Sequence, residues 1–397
     1  MANVPVIVGA GPVGLAAALM LRQAGVVVRI VDMAPQPSTY SKAMAVNPRT
    51  LELLESTGVT ARMLSLGIRI YGARFQNDNK WSGELSLGDL KHKYPFMLAL
   101  SQAVTEHLLT QALEDAGGTV ERGVTLESCS NKSDDTVEVE LKHVSSGAIE
   151  EVECPWLLAA DGAHSTARKA LAIDFEGSSL ETPWYLADVP LNTALEEDRV
   201  YLFFSEGGFL FLIRVVTEER QSPGAKLWRV ISNQRELMNR IPHSTAAGAP
   251  VWSSEFHISH RINSTLQKGN VYFAGDAAHI HSPMGARGMN LGLEDAWVFS
   301  QLAQRGELRR YGEPRKSVDE AVVKRIEQLS RVVLGESWAT RFARAVSLRW
   351  LIKVPAFRAG FMAAMTGLDH PLNIGEMKGA ERTESGTHGK MAERHAH

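Results

Sequence analysis

Val4-Pro5-Val6-Ile7-Val8-Gly9-Ala10-Gly11-Pro12-Val13-Gly14-Leu15 decides how the rest of the chain is read. A short apolar, β-branched run leads into three glycines spaced GxGxxG. A helix-like stretch, Leu15 to Gln23, follows and stops at Gly25. A second β-branched run, Val26 to Val31, completes a βαβ unit. In that context each glycine has a task. Gly9 permits the tight turn, Gly11 lets a pyrophosphate approach the backbone, and Gly14 lets helix and strand pack closely. Pro12 and Val13 complete the cofactor-binding turn, behind which a helix N-terminus offers unpaired N–H groups and a positive dipole end to phosphates. Asp32 closes the second strand, about twenty residues on, where a carboxylate accepts hydrogen bonds from ribose hydroxyls. The unit reads as a dinucleotide site, and alone it does not separate FAD from a nicotinamide.

Two later segments make that separation. Leu157-Leu158-Ala159-Ala160-Asp161-Gly162 carries an apolar strand into an Asp-Gly pair. Val271-Tyr272-Phe273-Ala274-Gly275-Asp276 does the same in the opposite order, and it continues through His281-Ser282-Pro283-Met284-Gly285-Ala286-Arg287-Gly288-Met289-Asn290. A strand ending in Gly275-Asp276 presents a carboxylate at the C-terminal edge of a sheet, where a ribityl hydroxyl can donate to it. The loop from Pro283 to Gly288 is glycine-rich, so its backbone can lie flat against a ring. The helix expected from near Asn290 to Gln304 then points its N–H groups at that ring. Such an N-terminus stabilises an anionic reduced flavin by about 1 kcal/mol.

With GxGxxG first, Asp-Gly in the centre and Gly-Asp late, the chain from about Val4 to Ala303 resembles the single-component (class A) FAD-dependent aromatic hydroxylases, flavoprotein monooxygenases built like p-hydroxybenzoate hydroxylase. The resemblance implies an α/β fold: a Rossmann-like FAD-binding domain with an interleaved antiparallel β-sheet substrate domain and C-terminal helices. It implies FAD as cofactor and NADPH or NADH as transient co-substrate. It further implies O₂ used through a C4a-hydroperoxyflavin to hydroxylate an aromatic or phenolic small molecule.

Carried over residue by residue, Asp276 holds the ribityl chain, and Pro283, Gly285, Gly288, Met289 and Asn290 border the isoalloxazine. Asp161 belongs to the motif shared between FAD and the nicotinamide, and Gln102 lies near the ribityl and phosphates. Lys42 falls where the family often has arginine, keeping the charge without the bidentate fork. Pro283 and Arg287 are the catalytic candidates. Arg287 is a departure, since many relatives read glycine-glycine-glutamine-glycine where this chain has Gly285-Ala286-Arg287-Gly288. It either stabilises the flavin anion, meets an acidic or phenolate substrate, or is a salt-bridged loop residue pointing away.

The remaining segments suggest an FAD-binding domain over 1–179, with an excursion of about 70–98 into the substrate domain, and a β-sheet substrate domain over 180–265. The flavin loop and its helix return to the first domain over 266–305, C-terminal helices occupy 306–378, and the polar tail 379–397 is expected to be disordered. Within the first domain, Asn47-Pro48 looks like a helix start, Gln102 to Ala116 like a helix, and Val120 to Trp156 like an antiparallel meander. The substrate domain shows strands at Val200 to Ser205, Phe209 to Val216 and Leu227 to Ser232, with turns at Gly207-Gly208 and Ser222-Pro223-Gly224. The substrate pocket is expected between the flavin loop and this sheet. Tyr201, Phe203, Phe211, Ile213, Arg214 and Trp228 are its candidates, although strand alternation forbids Ile213 and Arg214 from both pointing in.

The bulk composition narrows the partners. At 397 residues with 44% hydrophobic residues the chain can bury more than one core, and a net charge of −3 gives no field for nucleic acid. Cys129 and Cys154 are the only cysteines and are too far apart for a redox or zinc pair, which fits a reducing cytoplasm. The N-terminus enters a strand without a basic leader. The apolar stretch Ala343 to Met365 is broken by Arg344, Arg349, Lys353, Pro355 and Arg358, so it is expected to pack on the body rather than span a bilayer. His279 and His281 lack a third ligand, and no metal is expected. A monomer or homodimer is the expected state.

Other flavoenzyme classes fit less well. No second dinucleotide fingerprint marks a separate nicotinamide domain, and none of the eight tryptophans lies two residues from another, as in the flavin halogenases. Two alternatives stay open: an FAD-dependent reductase or oxidase of a lipid-like substrate that inserts no oxygen, and a catalytically silent, ligand-sequestering flavoprotein.

Overall fold

The computed structural model describes residues 4–37, 43–77, 80–133, 135–205, 208–216, 226–236, 245–334, 353–372 and 374. Lys42, Gly207, the 222–224 turn and the 379–397 tail therefore lie outside the described residues.

A six-stranded sheet carries the first domain. Its strands run in the order Gln267–Lys268, Val271–Phe273, Leu157–Ala159, Val6–Val8, Arg29–Asp32 and Val120–Arg122. All pairings are parallel except that of Gln267–Lys268 with Val271–Phe273. Helix Pro12–Gln23 crosses from the first strand to the second and buries nearly every side chain, which explains its run of Leu, Ala and Met. It begins at Pro12, earlier than the apolar periodicity alone marks, because Pro fits the first helical turn. Against it packs the second long helix of this layer, Arg287–Gln304.

The expected local elements form with small shifts. Asn47 Oδ1 accepts from Thr50 N–H at 2.8 Å and caps helix Pro48–Leu53. Ser101 caps helix Gln102–Asp115 in the same way. The meander is a three-stranded antiparallel sheet of Val124–Ser133, Thr136–His143 and Ile149–Cys154.

A nine-stranded sheet builds the second domain around strand Phe175–Asn192, which pairs with Trp252–Asn263 on one side and Lys226–Ser232 on the other. The boundary at 179/180 falls inside that strand. Gly72–Asn77 and Lys80–Ser86 extend the far edge through Arg199–Ser205, so the early excursion joins the same sheet. The two long helices described after helix Arg287–Gln304 are Gly312–Leu334 and Pro355–Thr366. No helix among the described residues is long and apolar enough to cross a membrane.

Candidate active site

Three neighbouring parallel strands bring the three motifs together. Val8, Ala159 and Phe273 are in register, so the turns after them leave the same edge of the sheet. Ala160 N–H donates to Val8 O at 2.8 Å and Ala274 N–H to Ala159 O at 3.0 Å, which carries the pairing one residue into each turn. The turns frame a cleft with about 570 Å³ of atom-free space, part of it continuous with solvent. Gly11, Pro12 and Val13 line it from the first turn, Ala160 and Gly162 from the second, and Ala274, Gly275 and Asp276 from the third. Gln102 completes the lining together with Gly288 and Met289 from the start of the second long helix.

The glycines divide their tasks as the motif requires. A Cβ on Gly9, at φ +101°, would fall 2.2 Å from Ala160 O, and one on Gly14 would fall 1.9 Å from Gly9 O. Both are packing positions. A Cβ on Gly11 meets no protein atom within 4 Å, so its backbone is approachable from the cleft. Asp32 Oδ2 accepts from Ala10 N–H at 2.6 Å and Oδ1 from Ala34 N–H at 2.8 Å. The carboxylate is thereby fixed beside the glycine turn, with the Arg122 guanidinium 3.7 Å away. Asp161 Oδ2 accepts from Thr166 N–H at 2.7 Å, while its buried Oδ1 has no partner and burial raises its pKa. Ala160, Gly162 and Ala274 were absent from the expected site residues, and their position directly after apolar strands was the available signal.

The flavin loop departs from expectation in two ways. The helix starts at Arg287, three residues before Asn290, so Asn290 lies within its first turn. The Asn290 side chain is also engaged elsewhere. Its Oδ1 accepts from Asn47 N–H at 2.9 Å and its Nδ2 donates to Ala45 O at 2.9 Å and Ala286 O at 2.5 Å, which braces the loop against the first domain. Pro283 precedes a short 3₁₀ turn, Met284–Ala286, and its carbonyl accepts from Ala286 N–H at 3.0 Å. Of the orientations open to Arg287 in the sequence, the structure gives the ion-paired one. The side chain is fully buried, with Nη2 3.5 Å from Asp369 Oδ1 and 3.9 Å from Glu294 Oε1.

A buried ionic cluster supports the third turn. Asp295 Oδ2 accepts from Gly275 N–H at 2.8 Å and pairs with His279 Nε2 at 2.8 Å, while its Oδ1 takes the Arg315 Nε–H at 2.5 Å. Arg315 reaches Asp319 at 2.8 Å. Desolvation alone would lower the His279 pKa, but the carboxylates of Asp295 and Asp319 outweigh it and raise it to about 9. His279, Asp295 and Asp319 also converge as metal-type ligands, but the Arg315 guanidinium already supplies the cation there. The sequence carries little signal for this cluster, because its members are scattered over three elements.

Strand register corrects the substrate residues. Phe211 pairs with Leu202 and Ile231, and Ile213 pairs with Arg229. That face carries Leu186, Phe209 and Ile231 in the core cluster against which Met284 and Ala286 of the flavin loop pack. Tyr201, Phe203, Arg214 and Trp228 fall on the opposite face, with Leu210, Leu212 and Val230. There Tyr201 Oη accepts from Glu196 N–H at 2.8 Å, and Arg214 donates to Leu227 O at 2.6 Å and to Glu197 at 3.1 Å. Those four are therefore core and bracing residues, not walls of a pocket at the flavin loop. Alternation decides this, because a shift of one residue changes the face.

Comparison with known proteins agrees with the geometry. The model of the family described as "FAD binding domain" matches residues 2–325. A 6-methylpretetramide 4-monooxygenase from Streptomyces rimosus is 31% identical over 416 aligned positions, covering 96% of this chain and 72% of that protein. The chain belongs to the class A FAD-dependent aromatic hydroxylase family. Pentachlorophenol 4-monooxygenase from Sphingobium chlorophenolicum is 28% identical, covering 83% of this hydroxylase-family chain and 64% of the relative, so the chain spans about two thirds of that relative's length. The solved p-nitrophenol 4-monooxygenase PnpA from Pseudomonas putida DLL-E4 shares the fold, with a TM-score of 0.79 at 20% identity over 92% of this chain and 98% of that one. FAD is the cofactor of this flavoprotein, and the cleft fits it: an approachable glycine turn, a fixed carboxylate at the second strand and two helix N-termini at its edges.

Proposed function

We propose that this protein uses FAD, NADH or NADPH, and O₂ to hydroxylate an electron-rich aromatic or phenolic small molecule. The balanced reaction is ArH + O₂ + NAD(P)H + H⁺ → ArOH + H₂O + NAD(P)⁺. Bound FAD supplies the electron transfer from the nicotinamide and the activation of oxygen. The observation that carries the reading is the convergence of three motif turns on one cleft, with the apolar sheet face bearing Phe211 and Ile213 packed toward the flavin loop.

In this reading the Gly11–Gly14 turn takes the pyrophosphate, Asp32 a ribose and Asp276 the ribityl hydroxyls. The N–H groups at Gly288 and Met289 stabilise negative charge on the reduced ring. Phe211 and Ile213 exclude water and press a planar substrate toward the ring. The first domain holds the cofactor and the second roofs the substrate. Both cysteines are buried, and desolvation pushes their thiols up to about 12, so they stay as inert thiols in a reducing cytoplasm. A monomer or homodimer suffices for this chemistry.

The test is NAD(P)H oxidation by the purified flavoprotein, with and without oxygen, against a panel of phenols and polycyclic aromatics. Ligand-accelerated aerobic oxidation with ¹⁸O from O₂ in the product supports the proposal. Product formation without oxygen incorporation points instead to a reductase or oxidase. A yellow protein whose flavin no ligand helps to reduce points to a binding protein.

A further inference from the structure

Two consecutive residues of the flavin loop, Gly285 (φ +72°) and Ala286 (φ +53°), are left-handed, and the second is not a glycine. An L-residue there is strained, and such backbone persists only where its surroundings hold it. The next residue is the fully buried Arg287, and the two after that, Gly288 and Met289, line the cleft.

What surrounds the loop is a stretch far along the chain. A Cβ on Gly285 would come within 2.7 Å of Met365 Sδ, and one on Gly367 within 2.8 Å of Arg287 Nη1. Beyond helix Pro355–Thr366 the backbone is stapled to the first domain. Arg49 Nε–H donates to Gly367 O at 3.1 Å and its Nη2–H to His370 O at 2.9 Å. His370 Nε2 lies 2.7 Å from Glu294 Oε2, and Asp369 pairs with both Arg287 and Arg325. Arg287 Nε and Nη1 have no hydrogen-bond partner, so the buried cation is held mainly by the carboxylates of Asp369 and Glu294. This stretch lies past residue 325, where the match to the family model ends.

We propose that Arg287 is a positioning residue for the bound flavin, and that residues 365–370 form a strap that holds it in place through Asp369. The strap fixes the strained loop and, with it, the N–H groups of Gly288 and Met289 that meet the ring. A side chain outside the cleft thereby sets how tightly FAD is bound and how easily it is reduced.

The inference rests on the cleft being the FAD site, and the test separates the two. FAD affinity of the deflavinated protein is measured by fluorescence titration, the flavin midpoint potential by dye equilibration, and the melting temperature alongside. The variants are Arg287→Gln, Arg287→Lys, Asp369→Asn and the double variant Arg287→Gln/Asp369→Asn. The control is Arg358→Gln on helix Pro355–Thr366, which breaks an exposed pair with the distant Asp89. Expected are a tenfold or greater loss of FAD affinity and a lower midpoint potential in Asp369→Asn and Arg287→Gln, a smaller loss in Arg287→Lys, and a double variant no worse than the worse single one. Arg358→Gln should match wild type. If Arg287→Gln does not fold, Asp369→Asn and Arg287→Lys decide the matter. Wild-type affinity and potential in those variants, whatever their melting temperatures, would overturn the strap alone. A wild-type protein that takes up no FAD would overturn the reading of the cleft as well.

Discussion

Gly11→Ala separates cofactor binding from folding. Gly11 has φ −73° and ψ −178°, a conformation open to any residue, and an added Cβ meets no protein atom within 4 Å. Its fold cost is therefore small. Alanine is a poorer N-cap than glycine by about 0.5 kcal/mol, and the stiffer unfolded chain offsets roughly that amount. The methyl does enter the space through which a pyrophosphate reaches the turn. Losing one or two charge-assisted N–H···phosphate hydrogen bonds costs about 2–4 kcal/mol, or roughly a 30- to 1,000-fold weaker Kd. Gly14→Ala is the contrast: its Cβ would overlap Gly9 O, so the domain itself should fail to assemble. Thermal melts of the deflavinated protein and flavin fluorescence titration read the two effects separately. Gly11→Ala binding FAD within threefold of wild type would show that the pyrophosphate does not lie on this turn.

Asp295→Asn leaves Arg315 and His279 without their shared carboxylate, so urea denaturation should show a loss of about 3–5 kcal/mol; a change below about 1 kcal/mol would contradict the buried-pair reading. The His279 pKa is raised from 6.5 to about 9, so the folded protein keeps a proton that the unfolded chain releases. That contribution is complete below pH 6.5 and is lost as pH rises toward 9, bounded by roughly 3 kcal/mol. Asp319, raised by burial from 3.8 to about 8, acts in the same direction and extends the fall to below pH 6.5. Melting temperature should fall over this window, and His279→Gln should flatten the slope. On the sheet, Phe211→Ala should lower the ratio of hydroxylated product to NAD(P)H consumed. Trp228→Ala should cost about 3–5 kcal/mol of stability and leave that ratio intact, and the reverse pattern would mean that the wrong face was assigned to the flavin.

The sequence by itself determined the elements whose signals are local. A glycine turn between an apolar strand and a helix, strand-ending Asp-Gly and Gly-Asp pairs, and caps such as Asn47 and Ser101 depend on residues within a few positions of one another. They therefore stand out as soon as they are written down. Tertiary structure decided everything that depends on which neighbour faces which. Parallel pairing of three strands from residues 6, 157 and 271 onward makes one cleft of three motifs. The register of Arg199–Ser205 on Gly208–Arg214 sends Phe211 and Ile213 to the face against which Met284 and Ala286 pack, and Tyr201 and Trp228 to the opposite face, although all four are apolar strand residues in sequence. The Asn290 side chain is taken up as a brace because Ala45 and Asn47 lie against it, and the Arg287 side chain is ion-paired because Asp369, 82 residues away, offers a carboxylate. Side-chain direction and long-range charge pairing leave no periodic trace in a chain, because they are properties of the packed core and not of any segment of it.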